Sequence, residues 1–458
     1  MKGPTGPAPA TAVSPRGGRS MSNEPGHGTL EQWLVELDAI TTVVTEGRVR
    51  SALGTIVRAT LPEATIGAFA TLTTSHGTVD AKVVGFAGAE VVLVPLGDLS
   101  GLKPGAPVVL AARRHQITVG TALIGRVLDG QGHPMDGKGP VQGESWAVTR
   151  EAPQPLLRKR IHRAVHTEIP VLDGMLTLGH GQRVALFAGP GVGKSTLLGQ
   201  LARCKDFDVV VLALVGERGR EVREFIEEGL GAEGLSRSVV VVTTSDSPAQ
   251  TRVACAEVAT SIAEYFRDRH QMNVLLCVDS LSRVARAQRE VGLAAGEPPV
   301  RQGYPPSLSG LLSRLLERAG NSEVGSITAC YSVLTEAGQL DDPVADEVSG
   351  LLDGHIVLSK TIAERGIWPA VDILRSLSRL QHRVASEPHW RAASAVRKLI
   401  STYESKRDLV ELGAYTRGDE VLDEAIERWP ELIELFNSGV SRTPFDETIE
   451  SLREIADV

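Results

Sequence analysis

The run Ala188-Gly189-Pro190-Gly191-Val192-Gly193-Lys194-Ser195-Thr196 constrains this chain more than any other feature. It follows an apolar, β-rich stretch at 183–187 and opens onto Leu197 and Leu198, the start of a helical pattern. Strand, glycine-rich turn and helix, in that order, make a phosphate-binding loop. Glycines let backbone N–H groups wrap an anion, and the helix N-terminus adds a favourable dipole. The register puts Gly189, Pro190, Gly191, Val192, Gly193 and Thr196 around the phosphates. Lys194 reaches the β- and γ-phosphates, and the Ser195 hydroxyl is a ligand for Mg²⁺. The first position is Ala188, where such loops usually carry glycine.

A loop of this kind works at the C-terminal edge of a parallel sheet. The chain supplies one. Apolar runs at 183–188, 208–215, 238–243, 273–278, 325–331 and 354–358 are separated by helical stretches. Near-continuous apolar strands with helices between them predict a parallel sheet covered on both faces. Two further sites lie where strands end. Asp279 closes the run 273–278, and a carboxylate there is placed to hold the hydration shell of Mg²⁺. Glu217, in Val215-Gly216-Glu217-Arg218-Gly219-Arg220-Glu221, closes the strand after the loop helix. Spacing alone leaves two readings of it: a group that activates the attacking water, or a solvated turn laced with salt bridges.

The flanking regions differ. Residues 1–28 hold 5 Pro and 6 Gly and almost no bulky apolar side chain, a composition that predicts a disordered leader. Residues 29–41 read as a short amphipathic helix, with Leu30, Trp33, Leu34, Leu37 and Ile40 on one face, placed to bind a partner or to pack on its own domain. Short β-rich runs at 54–59, 68–73, 80–86 and 90–95 predict a small barrel over 45–113, ahead of a nucleotide domain at 114–380. From 381 to 458 the pattern is helical, with apolar sets around Leu399 and Tyr403, around Leu422 and Trp429, and after Thr443 and Pro444.

Lys plus Arg is 48 and Asp plus Glu is 56, a net charge of −8. With no basic, aromatic-laced barrel, this argues against nucleic acid as a partner. The four cysteines form no C-x-x-C pair, which disfavours a zinc site or a disulfide scaffold and suits a reducing compartment. No apolar run reaches the length of a membrane span, and the N-terminus lacks the apolar core of a secretion signal. The expected location is cytoplasmic.

Larger segments carry a family resemblance. Residues 187–195, 215–218 and 366–372 (Gly-Ile-Trp-Pro-Ala-Val-Asp) resemble the catalytic subunits of rotary ATP synthases. Residues 303–307 (Gly-Tyr-Pro-Pro-Ser), 314–320, 342–346, 352–359 and 407–415 narrow the likeness to the ATPases of flagellar export and type III secretion. The resemblance runs from about Arg48 to the C-terminus. It implies an α/β, RecA-like nucleotide domain with an N-terminal β-barrel and a C-terminal helical domain, assembled as a homohexamer with ATP and Mg²⁺ at subunit interfaces. Carried over residue by residue, Glu217 matches the catalytic carboxylate, Arg218 sits beside it near the γ-phosphate, and Arg379 matches an arginine finger offered to the neighbouring site. Trp368 stands where the family usually has Tyr against the adenine. The resemblance also implies partners: a dimeric stalk-like regulator at the N-terminal helix, a central stalk protein in the pore, chaperone–cargo complexes, and peripheral contact with the export gate at the inner face of the cell membrane. The alternatives are a catalytic subunit of a rotary ATP synthase, whose acidic C-terminal helical loop is replaced here by residues 413–419, a non-catalytic ring subunit, which usually carries Gln at the position of Glu217, and an RNA-translocating ring ATPase.

Overall fold

A computed structural model describes residues 45–112, 115–335 and 342–457. The leader 1–28 and the helix expected at 29–41 lie outside the described residues.

The first six strands, Glu46–Leu53, Ile56–Thr60, Phe69–Thr74, Gly77–Ala87, Glu90–Pro95 and Pro107–Ala112 (β1–β6), close into a barrel in the order β1-β2-β5-β4-β3-β6. Small and branched side chains fill it, among them Val57, Ala70, Leu72, Val83, Leu93 and Val108. Alternation places them inward and leaves polar neighbours in water. Two of the six strands were not evident in the sequence. In β1 the residues flanking buried Val49 are the exposed Arg48 and Arg50, and β6 opens on Pro107. The barrel rests on the helix Ala249–Arg269: Phe69 and Leu96 pack on Ala254, and Thr251 Oγ1 donates to the Leu96 carbonyl at 2.6 Å.

Eleven shorter and longer strands follow: Gln116–Val119 (β7), Val127–Asp129 (β8), Glu144–Ala147 (β9), Arg183–Ala188 (β10), Val209–Glu217 (β11), Ser238–Thr244 (β12), Asn273–Asp279 (β13), Gly320–Asn321 (β14), Ser326–Leu334 (β15), Gly354–Val357 (β16) and Leu377–Ser378 (β17). β7 pairs with β9. The large sheet runs β17-β16-β10-β15-β13-β11-β12-β8, parallel except at β17, with β14 paired to β15. Strand β11 is buried along its whole length, as both covered faces require. In this order β15 lies between β10, which leads into the phosphate loop, and β13, which ends in Asp279.

Helices Glu387–Glu411, Glu420–Phe436 and Phe445–Ile455 close the chain. Ile400, Leu432, Phe436 and Leu452 share one apolar core with Leu172, Leu186 and Leu212 of the nucleotide domain. His389 and the Gly174 carbonyl, 2.9 Å apart, tie the longest of these helices to the short helix Pro170–Met175. The architecture is the one the resemblance implies: barrel, parallel nucleotide-binding sheet and C-terminal helices. Among the described residues no helix is long and apolar enough to cross a membrane.

Candidate active site

The loop's shape is set by two glycines. Gly191 and Gly193 take φ values of 75° and 85°, a region that costs an L-residue with a Cβ. A Cβ on Gly193 would also lie 3.0 Å from the Trp368 ring, so glycine lets the indole approach the loop. The helix Lys194–Ala202 begins directly after Gly193, and its first N–H groups have no partner within the helix.

Three charged groups converge here from three elements. The Lys194 ammonium hydrogen-bonds Asp279 Oδ1 and lies 3.8 Å from Glu217 Oε1. Asp279 and Glu217 are 5% and 7% exposed, so their charges act in a medium much less polarisable than water. Glu217 Oε1 is buried with no hydrogen-bond partner. Its other oxygen accepts from Arg283, on the helix Leu281–Ala294, at 2.9 Å; the same guanidinium also donates to the Gly216 carbonyl. Burial pushes the Glu217 carboxyl up to about 7, and the negative Asp279 adds to this, while Lys194 and Arg283 pull the other way. A carboxylate that titrates near neutral pH is matched to general-base work.

A cavity of about 340 Å³ opens beside these groups, lined by Ser195, Thr196, Arg203, Glu217, Asp279 and Val440 among others. The Ser195 hydroxyl and the Asp279 carboxylate are hard oxygen donors facing one space, the set that Mg²⁺ takes. Asp279 already binds a cation, the Lys194 ammonium, so the residues fit the metal. Trp368 is held at its backbone by the C-terminal region: its N–H donates to Asn437 Oδ1 at 2.8 Å and its carbonyl accepts from Gly439 at 2.8 Å. Gln200, on the loop helix, donates to the Gly439 carbonyl at 3.0 Å. The helical domain therefore holds both the Trp368 backbone and the helix behind the phosphate loop.

Two sequence-predicted residues lie elsewhere. Arg218 points to solvent with its side chain 74% exposed, ion-paired to Glu221 at 2.7 Å; the arginine against Glu217 is Arg283. Arg379 follows β17, and its N–H bonds the Asp353 carbonyl, next to the start of β10. The phosphate loop leaves the other end of β10. At about 3.3 Å per residue the two ends are some ~17 Å apart. Arg379 is exposed, and its guanidinium donates to the Ser349 carbonyl at 3.3 Å, so it takes no part in the site of its own chain.

Arg283, Ser332 and Asn437 were not singled out from the sequence. Arg283 belongs to a series, Arg283, Arg286 and Arg289, that reads as a solvated helix face. Only packing selects the member that meets Glu217.

Residues 168–378 match the ATP synthase alpha/beta family, nucleotide-binding domain, and residues 385–454 match the T3SS EscN ATPase C-terminal domain. A flagellum-specific ATP synthase of Bacillus subtilis is 45% identical over 415 residues, covering 89% of this chain and 94% of its own. A type 3 secretion system ATPase of Xanthomonas euvesicatoria is 46% identical, covering 90% and 94%. Among solved structures, the assembled ATPase EscN of the enteropathogenic E. coli type III secretion system superposes with a TM-score of 0.85 at 44% identity, over 90% of this chain and all of that one. EscN in complex with its central stalk EscO gives 0.83 at the same identity, with the same two coverages.

Proposed function

Because this chain belongs to the family of type III secretion and flagellum-specific ATPases, we propose that it hydrolyses Mg²⁺·ATP in a homohexameric ring to drive protein export. The observation that carries the reading is the meeting of Lys194, Asp279 and Glu217 at one strand edge beside the phosphate loop.

The roles follow from position. The backbone of Gly189, Pro190, Gly191, Val192 and Gly193 binds phosphate oxygens, with Thr196 at the helix start. Lys194 exchanges Asp279 for the β- and γ-phosphates. Ser195 and Asp279 hold Mg²⁺, which supplies neutralisation of phosphate charge. Glu217, with one buried oxygen unpartnered, orients the attacking water and takes its proton. Trp368 stacks on the base. Arg218, already at the surface, lies near the γ-phosphate only when Glu221 releases it. Arg379, which takes no part in the site of its own chain, completes the neighbour's site.

The proposed division of the chain is a leader (1–28), a partner-binding segment (29–41), a barrel (45–113), an ATPase domain (114–380) and a helical domain (381–458). Residues 29–41 take a dimeric stalk-like regulator, and the ring pore takes a central stalk, as EscN takes EscO. Chaperone–cargo complexes and the export gate at the inner face of the membrane are the further partners, with the ATPase itself cytoplasmic. A steady-state assay tests the core of this. Glu217→Gln is expected to bind nucleotide like the parent and to hydrolyse about 10²–10⁴-fold more slowly. Parental turnover in Glu217→Gln removes the assignment.

A further inference from the structure

We infer that Ser332 is a positioning residue for the metal-facing carboxylate: its hydroxyl fixes Asp279 in the orientation that receives Mg²⁺. The inference rests on the proposed role of Asp279 and adds a residue from a neighbouring strand.

Ser332 lies on β15, between the strand of the phosphate loop and the strand of Asp279. It pairs in register with Leu186 on one side, and on the other β15 pairs with β13 up to Tyr331 against Val278, one step before Asp279. It is 0% exposed, and its Oγ donates to Asp279 Oδ1 at 2.7 Å. A hydroxyl inside a buried, otherwise apolar strand end is unfavourable unless it is bonded, and here its acceptor is the carboxylate.

Two donors converge on the same oxygen. One is the Lys194 ammonium, at the end of a flexible side chain; the other is Ser332 Oγ, on a strand paired on both sides. Both leave Asp279 Oδ2 for the cation and its water. When phosphates draw Lys194 away, Ser332 is the donor that remains. The strand cannot follow: Leu334 N donates to Ser282 Oγ at 2.8 Å, and Thr335 N donates to the Ala188 carbonyl at 3.1 Å, pinning this end of β15 to the helix of Arg283 and to the start of the loop. Ser332 thus holds the carboxylate through the exchange of one cation for another.

The test is the Mg²⁺-dependent part of nucleotide affinity in the full chain, read with a fluorescent ADP in Mg²⁺ and in EDTA. Ser332→Ala is expected to keep the EDTA affinity and to lose about tenfold of the gain that Mg²⁺ confers, as partners of ligating carboxylates do. Ser332→Thr, which restores the hydroxyl, is expected to recover the gain. Ser332→Cys, close in size and a weaker donor, is expected to fall between and serves if the alanine variant folds poorly. A parental gain in Ser332→Ala or Ser332→Cys overturns the inference, as does an equal loss in EDTA and in Mg²⁺, which would mark general distortion. Asp279→Asn separates the two claims. If it abolishes the gain while Ser332→Ala does not change it, only the role of Ser332 fails; if it leaves the gain intact, the metal assignment fails and this inference with it.

Discussion

Replacing Arg283 by Gln removes one of the two cations that hold the Glu217 carboxylate in its charged form, and leaves Lys194 as the other. The Arg283 contact to Glu217 Oε2 is 2.9 Å, and the guanidinium is 24% exposed, so solvent screens it only in part. A hydrogen bond to a charged group contributes about 1.5–3 kcal/mol. At about 1.4 kcal/mol per pH unit, losing it raises the carboxyl's titration by roughly one to two units. In the parent that titration lies at about 7, lifted by burial and by Asp279. The active form is the base, so activity climbs as pH rises through this value. The assay is kcat/KM for Mg²⁺·ATP across pH, whose acid limb reports groups of the free enzyme. Parent and variant share the substrate, so its own titration cancels from the comparison. The expected result is an acid limb displaced upward by roughly one to two units with its alkaline plateau retained. A limb that stays in place, in a variant with parental circular dichroism, refutes the claim that Arg283 sets the basicity of Glu217.

The same carboxyl makes stability depend on pH. Its folded-state value of about 7 lies above the ordinary glutamate value of 4.5, so the stability it contributes is complete below 4.5 and is lost as pH rises through about 7. Glu217→Gln is therefore expected to be more stable than the parent at pH 8, by no more than about 3 kcal/mol, to melt at a higher temperature there, and to lose that advantage near pH 5; equal melting temperatures at pH 8 would contradict the burial argument. Trp368, lying against Gly193, is expected to change its fluorescence when ATP is added, and Trp368→Phe to lose that response while Trp33, Trp146, Trp390 and Trp429 supply the background. An identical response in both proteins would mean that the indole does not meet the base.

Strands β10 to β13, β15 and β16 were legible because a strand covered on both faces is apolar almost throughout, and these runs are rich in β-branched residues and separated by helical stretches. Asp279 and Glu217 stood out because each ends such a strand with a charge. The short edge strands β8 and β17 bury too few residues to leave a pattern. Ser332 gave no signal either: a serine inside Ser-Ile-Thr-Ala-Cys-Tyr-Ser-Val-Leu takes its meaning from the carboxylate on the next strand. The resemblance put Arg218 beside Glu217, which is true along the chain. The turn out of β11 sends its side chain to solvent, and the helix after Asp279 brings Arg283 in instead. The grip of Asn437 and Gly439 on Trp368 joins residues about seventy positions apart, a distance that local patterning does not span.

Under the proposed function each site is built from two chains, one bringing Lys194 and Glu217 and the next bringing Arg379. Mixing Arg379→Ala with Lys194→Ala subunits tests this directly. Each variant alone is expected to be nearly inactive, since a finger in trans contributes about 10³–10⁵ in rate and the loop lysine is needed for phosphate binding. In the mixture, some interfaces pair an intact loop with an intact finger, and ATP hydrolysis is expected to reappear at a fraction of the parental rate. A mixture no more active than its components would contradict the shared site and return Arg379 to a structural role at the start of β10.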